Sequence, residues 1–222
     1  MIDVSGDFEI HLTVEAAAAD RTATFAEQHG LKYSHIVLDQ ALSPTQPMLT
    51  LSGRGGREAQ AELARRWVRD LRAADLHVRR VKIEATPWSR GVPQTDSEAA
   101  ADPPERYFEH HVKLLLPDAG GERLAAVTEL VLPHHARLSR NARRHRTDGS
   151  EERFVTQRCH GVGQPTARAR LDNLIAALRG AGHEVAEVEA EYVVSDSALD
   201  LDHGWLTSGG RDATPPPATR TA

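Results

Sequence analysis

The segment Phe8-Glu9-Ile10-His11-Leu12-Thr13-Val14 returns a hundred residues later as Phe108-Glu109-His110-His111-Val112-Lys113-Leu114. Both copies read Phe-Glu-x-His, then apolar, polar, apolar. Further landmarks repeat in the same order. Residues 46–55, QPMLTLSGRG, match residues 153–163, RFVTQRCHGVG. Each is a strand with an internal threonine, Thr50 or Thr156, that runs into a Gly-x-Gly turn. A helix follows in each, marked by Leu63, Trp67, Val68 and Leu71 in one and by Leu171, Leu174, Ile175 and Leu178 in the other. Each copy closes on a strand, 78–84 (VRRVKIE) and 185–191 (VAEVEAE), with Val78, Val81 and Glu84 matching Val185, Val188 and Glu191. Repetition on this scale means one structural unit written twice.

The intervening segments complete that unit. Asp20 is placed to cap a short helix that runs through Phe25 and stops at Gly30. Residues 32–39 (KYSHIVLD) alternate like a strand. In the second copy, residues 122–130 form the matching helix, Pro133 ends it, and 136–139 make a short second strand before a basic insert. The order strand, helix, strand, strand, helix, strand predicts an α/β (α+β) fold, a tandem duplication of a ferredoxin-like βαββαβ unit. The halves span 1–90 and 106–206. Residues 91–105 (GVPQTDSEAAADPPE) read as a linker, and 207–222, with three consecutive prolines, as a disordered tail.

Strand alternation assigns the faces. In a ferredoxin-like unit both helices cover one side of the sheet. Phe8, Ile10, Leu12 and Val14 belong under the helices, as do Phe108, Val112 and Leu114. The uncovered faces then collect Glu9, His11 and Thr13, with Thr50, Arg80, Lys82 and Glu84. In the second half they collect Glu109, His111 and Lys113, with Thr156, Arg158, Glu187, Glu189 and Glu191. His110 falls on the helix side. If the two uncovered faces turn toward each other they line a polar cleft, a common kind of ligand site. Pairing through strand edges is expected instead to leave them in solvent.

Composition narrows the classes of function. Cys159 is the only cysteine, so no intramolecular disulfide and no cysteine metal cluster can form, and a cytoplasmic location is expected. A net charge of −5 argues against general nucleic-acid binding. No apolar run approaches the ~18 residues of a membrane helix, and the acidic start, Met1 to Asp7, lacks the basic-then-apolar pattern of a secretory signal. Oligomeric state leaves no mark in the sequence.

His11 and His111 are the candidate acid and base, because imidazole titrates near working pH. Glu9 and Glu109, two residues away on the same face, would orient them. Thr13, Lys113, Thr50, Thr156 and Arg158 are candidate ligand-binding groups, with Glu84 and Glu191 beside them. The same histidines and carboxylates could instead ligate a divalent metal. No tight His-x-His or His-x-x-x-His spacing supports that, so no metal is assigned, and no motif marks a flavin, nicotinamide or pyridoxal cofactor.

The stretch His11-Leu12-Thr13 resembles the His-x-Thr motif of the two-histidine phosphoesterases, two-lobed enzymes with one such motif per lobe. The resemblance implies a hydrolase in which His11 and His111 transfer protons and Thr13 holds phosphate. The second motif departs from the pattern, since Lys113 stands where the family has Thr or Ser.

Other polar features have plainer readings. The Gly53 and Gly161 turns suit strand-to-helix connections more than anion cradles. The cluster 137–146 (RLSRNARRHR) reads as a solvated insert. His134, His135, His203, Asp200 and Asp202 sit in loops without ligand spacing, and Cys159 reads as a small core residue. The sequence therefore points to an enzyme acting on a small anionic molecule, phosphorylated or not, between two lobes. A non-catalytic small-molecule-binding or regulatory module, or an accessory surface for a protein partner, is the alternative.

Overall fold

A computed structural model describes residues 3–38, 43–117, 120–142, 150–202 and 205. The expected tail, His203 and the basic residues Arg143, Arg144 and Arg146 lie outside the described residues. The first half runs β1 (Ser5–Val14), α1 (Ala19–His29), β2 (Lys32–Leu38), β3 (Thr45–Gly56), α2 (Arg57–Ala73) and β4 (Val78–Ala85). After a connection holding the short α3 (Asp96–Ala100), the second half repeats this. It consists of β5 (Tyr107–Leu116), α4 (Gly121–Val131), β6 (Ala136–Asn141), β7 (Glu151–His160), α5 (Gln164–Gly180) and β8 (Glu184–Asp196). This is the duplicated ferredoxin-like βαββαβ arrangement.

Within each half the strands pair antiparallel, β4-β1-β3-β2 and β8-β5-β7-β6. The halves then join at both edges. Ile36–Leu38 of β2 pair with Ser139–Asn141 of β6, and Lys82–Ala85 of β4 pair with residues 192–196 of β8. The result is a closed eight-stranded barrel. Edge pairing, expected to leave the uncovered faces in water, does the opposite here: with both edges used, those faces become the barrel interior. Closure also removes the unpaired strand edges that invite aggregation.

The apolar residues pack outside the barrel, under the helices. Ile10, Leu12, Leu49, Leu71 and Leu76 anchor one core with Phe8 and Phe108, and Leu114, Val127, Val155, Leu171, Leu174 and Leu178 anchor another. Local signals explain most element ends. Gly30 closes α1 in the left-handed conformation with its N–H on Ala26 and Glu27 carbonyls. Ala18 rather than Asp20 is the N-cap of α1, and Asp20 lies in the first turn, where its charge still suits the helix dipole. Residues 91–105 are more ordered than their composition suggests: Thr95 and Glu98 form a capping box, and Asp96 Oδ1 accepts from the Gly163 N–H at 2.8 Å. Gly163 N-caps α5, and a Cβ there would lie 2.5 Å from the Thr95 carbonyl carbon. Cys159 is buried in the core, where burial pushes its thiol up to about 11. His110, on the helix side, is buried with Nδ1 2.9 Å from Gln157 Oε1. Among the described residues no helix is long and apolar enough to cross a membrane.

Candidate functional site in the barrel interior

An eight-stranded barrel has room for its own side chains or for one small ligand. Here a cavity of about 210 Å3 remains, lined by Glu9, His11, Thr13, Thr50, Arg80 and Lys82 from one half and Glu109, His111, Lys113, Thr156, Arg158 and Glu191 from the other. Every site residue expected from the sequence thus faces this interior except Glu84, which lies fully buried beneath His11. The opposite wall is more apolar: Ile36, Leu38, Met48, Phe154 and Trp205.

The two histidines occupy matching settings. His11 Nδ1 shares a hydrogen bond of 2.9 Å with Thr50 Oγ1, and His111 Nδ1 shares one of 3.0 Å with Thr156 Oγ1. Cross-strand register explains both, since His11 stands opposite Thr50 and His111 opposite Thr156. The two threonines therefore orient the imidazoles while lining the cavity. Each Nε2 looks inward to carboxylates: His11 to Glu84 at 2.6 Å and Glu9 at 3.9 Å, and His111 to Glu109 at 3.3 Å and Glu191 at 3.7 Å. Glu84, not Glu9, is thus the near partner of His11. A phosphate held between two histidines would meet carboxylates at both Nε2 atoms.

Below this pole runs an ion-pair chain that the sequence did not reveal. Lys82 Nζ lies 2.8 Å from Glu84 and 2.5 Å from Glu109; Arg158 reaches Glu109 at 2.5 Å and Asp202 at 2.6 Å; Arg80 reaches Asp196 at 2.5 Å and Asp202 at 3.0 Å. Asp202, expected at the surface, is buried and joins the halves; Gln46 Nε2 donates to it at 3.1 Å. Trp205, likewise unforeseen, closes this end with its indole N–H on the Leu138 carbonyl at 2.7 Å. No spacing rule could have found either residue, because both follow the last strand and return to the barrel only in three dimensions.

The electrostatics follow from this wiring. Burial opposes the charge on Glu84, but Lys82 and His11 outweigh it and hold its pKa at about 2. Burial likewise opposes the charge on Glu109, and Arg158 and Lys82 overcome it, so its carboxyl sits well below the usual range. Glu191 goes the other way. Burial, then the neighbouring Glu84 carboxylate, raise it well above the usual range, with Glu9 and Glu109 adding to the effect and Lys82 only partly offsetting it. Arg80, Lys82 and Arg158 are all spent on carboxylates, and Lys113 pairs with Glu187. Among the cavity-lining residues only the exposed Lys32 stands outside such pairs. Glu9, Glu189 and Glu191 have no lysine or arginine partner among the described residues.

No family model matches the chain, and no curated protein does. Among solved structures, it is similar to the acetolactate synthase small subunit of Thermotoga maritima, at 12% identity over 85% of this chain and 94% of that one, with a TM-score of 0.29. A putative glycine cleavage system transcriptional repressor aligns at 9% identity over 86% and 98%, TM-score 0.30. A chlorite dismutase variant from Candidatus Nitrospira defluvii aligns at 12% identity over 89% and 93%, TM-score 0.28. Scores this low carry no weight on the site or on what the chain does.

Proposed function

We propose that this chain is a small-molecule-binding module whose ligand sits inside the barrel, with a cationic group at the His11–His111 pole. The observation that carries this reading is the charge balance of the barrel cavity. Among its lysines and arginines only the exposed Lys32 stands outside an internal ion pair, while Glu9, Glu189 and Glu191 have no lysine or arginine partner among the described residues. Charge complementarity therefore moves the ligand from the anionic molecule expected from the sequence to one bearing positive charge. Ile36, Leu38, Met48 and Phe154 offer the apolar wall for the rest of such a molecule.

Binding without turnover is the primary reading, because both imidazoles are held on one side by threonine and on the other by carboxylate. A second reading, acid–base catalysis, draws on the same geometry: His111 keeps 24% of its side chain exposed and its Nε2 faces two carboxylates. A thermal-shift screen with amines, amino acids, phosphate esters and metals, followed by product analysis of every hit, separates these. A ligand at about 100 Kd should stabilise the fold by roughly 2.7 kcal/mol. Stabilisation by cationic ligands with no product supports the binding module, and product formation lost in His11→Ala and His111→Ala supports catalysis. Stabilisation by phosphate esters alone overturns the charge argument.

A further inference from the structure

We propose that the positive charge accepted at this pole is a divalent transition-metal ion, with Glu191 as the ligand common to two histidine–carboxylate triads. This rests on the reading of the barrel interior as a ligand site, and names what that site takes. Glu9, His11 and Glu191 each bring a ligand atom within 4.8 Å of the others, and so do Glu84, His111 and Glu191. The five groups arrive on four strands, β1, β4, β5 and β8, which is why no local spacing signals them.

The surroundings of the histidines are those a metal ligand needs. A ligating imidazole has its second nitrogen fixed by a hydrogen-bond partner, which sets ring orientation and tautomer. Thr50 and Thr156 do this at Nδ1 in both halves, leaving Nε2 of His11 and His111 aimed at the carboxylates. The donor set, imidazole with carboxylate, suits zinc, iron or manganese rather than the all-oxygen shells of calcium and magnesium.

Glu191 supplies an independent observation. Its carboxylate lies with His111 Nε2 at 3.7 Å and no lysine or arginine in ion-pair range among the described residues. Carboxylates of Glu9, Glu84 and Glu109 crowd around it. A divalent ion bridging these groups converts that mutual repulsion into coordination. Lys82 stays on Glu84 and Glu109, and the ion replaces the close contact of His11 Nε2 with Glu84. The site also has an approach from solvent. Glu9, Glu84, Glu189 and Glu191 line a lateral groove beside Trp88, where β8 extends past the end of β4.

The test uses the full chain without a purification tag, stripped with chelator, and titrated with Zn2+, Mn2+ and Co2+ separately by calorimetry. The proposal expects at least one ion to bind in the micromolar range or tighter, with binding weakened at least a hundredfold in Glu191→Gln. Bound Co2+ should give visible absorption bands that Glu191→Gln loses. Because Glu191→Gln alters the barrel wall, Thr50→Val provides a second variant. It keeps every ligand and should weaken binding roughly 10- to 100-fold by releasing His11. Binding that survives Glu191→Gln unchanged, or no binding of any ion by the folded wild type, overturns the proposal. A parallel titration with n-butylamine keeps the two readings apart. If the amine binds and no metal does, the metal inference fails while the cationic-ligand reading stands, and if neither binds, both fail.

Discussion

Lys82 of the first half donates to Glu109 of the second at 2.5 Å, inside a barrel whose two halves also pair along both strand edges. The same lysine holds Glu84 at 2.8 Å, so one ammonium separates two buried carboxylates from different halves. Burial opposes its charge, yet Glu109 and Glu84 outweigh that and raise its pKa, so it stays protonated across the working range.

Replacing Lys82 with methionine leaves Glu84 and Glu109 facing each other without their cation. Breaking one side of a buried pair costs about 3–5 kcal/mol. Urea denaturation of Lys82→Met should show a loss of that order, and a loss below about 1 kcal/mol would mean the network does not join the halves.

Asp202 gives the chain a pH dependence of defined sign. Burial opposes its charge, but Arg80 and Arg158 outweigh it, with Gln46 also donating, and its carboxyl sits below the usual aspartate range. Asp196 shares Arg80 from the other side. A depressed folded value adds stability that is complete above the unfolded pKa, about 3.9, and drains away as pH falls through the folded one. Denaturation midpoints of the wild type should therefore fall on acidification below about pH 4, and Asp202→Asn, weaker at neutral pH, should fall less steeply.

Much of this was legible in the sequence, and the reason is geometric. Period-two alternation places Glu9, His11, Thr50, His111 and Thr156 on uncovered faces whatever the halves do next, and the repeat sets the fold of each half. Closure was not legible, because pairing of β2 with β6 and of β4 with β8 depends on the shapes of two complete sheets. Asp202 and Trp205 escaped for a related reason: their sequence neighbourhood looks like a loop, and only the closed barrel gives them arginines and a carbonyl to meet. The pairing of Arg158 with Glu109 and Asp202 was not legible either, because Asp202 reaches it only in the closed barrel.

Two glycines distinguish close approach from backbone conformation. Gly163 packs against Thr95 backbone, so Gly163→Ala forces an overpacked contact costing about 1–3 kcal/mol. Gly161 has open space but φ +63, so Gly161→Ala costs only the left-handed penalty, about 1–2 kcal/mol. Relaxing the connection by Thr95→Gly should not rescue Gly163→Ala, since the clash is with backbone atoms; thermal melting checks both.

Cys159 should be inert while the protein is folded. Its thiol is buried and pushed up to about 11, which leaves little thiolate at pH 8. Ellman's reagent is expected to react with it only after denaturant is added. Prompt reaction of the native protein would mean that the helix-side core opens readily.

Histidine side-chain NMR during a titration with n-butylamine or Zn2+ tests the central claim, that the barrel interior is the ligand site, most directly. The account predicts that the Nε2 resonances of His11 and His111 move together while those of the exposed His29 and His77 stay in place. Movement of His29 and His77 with His11 and His111 unchanged would contradict it.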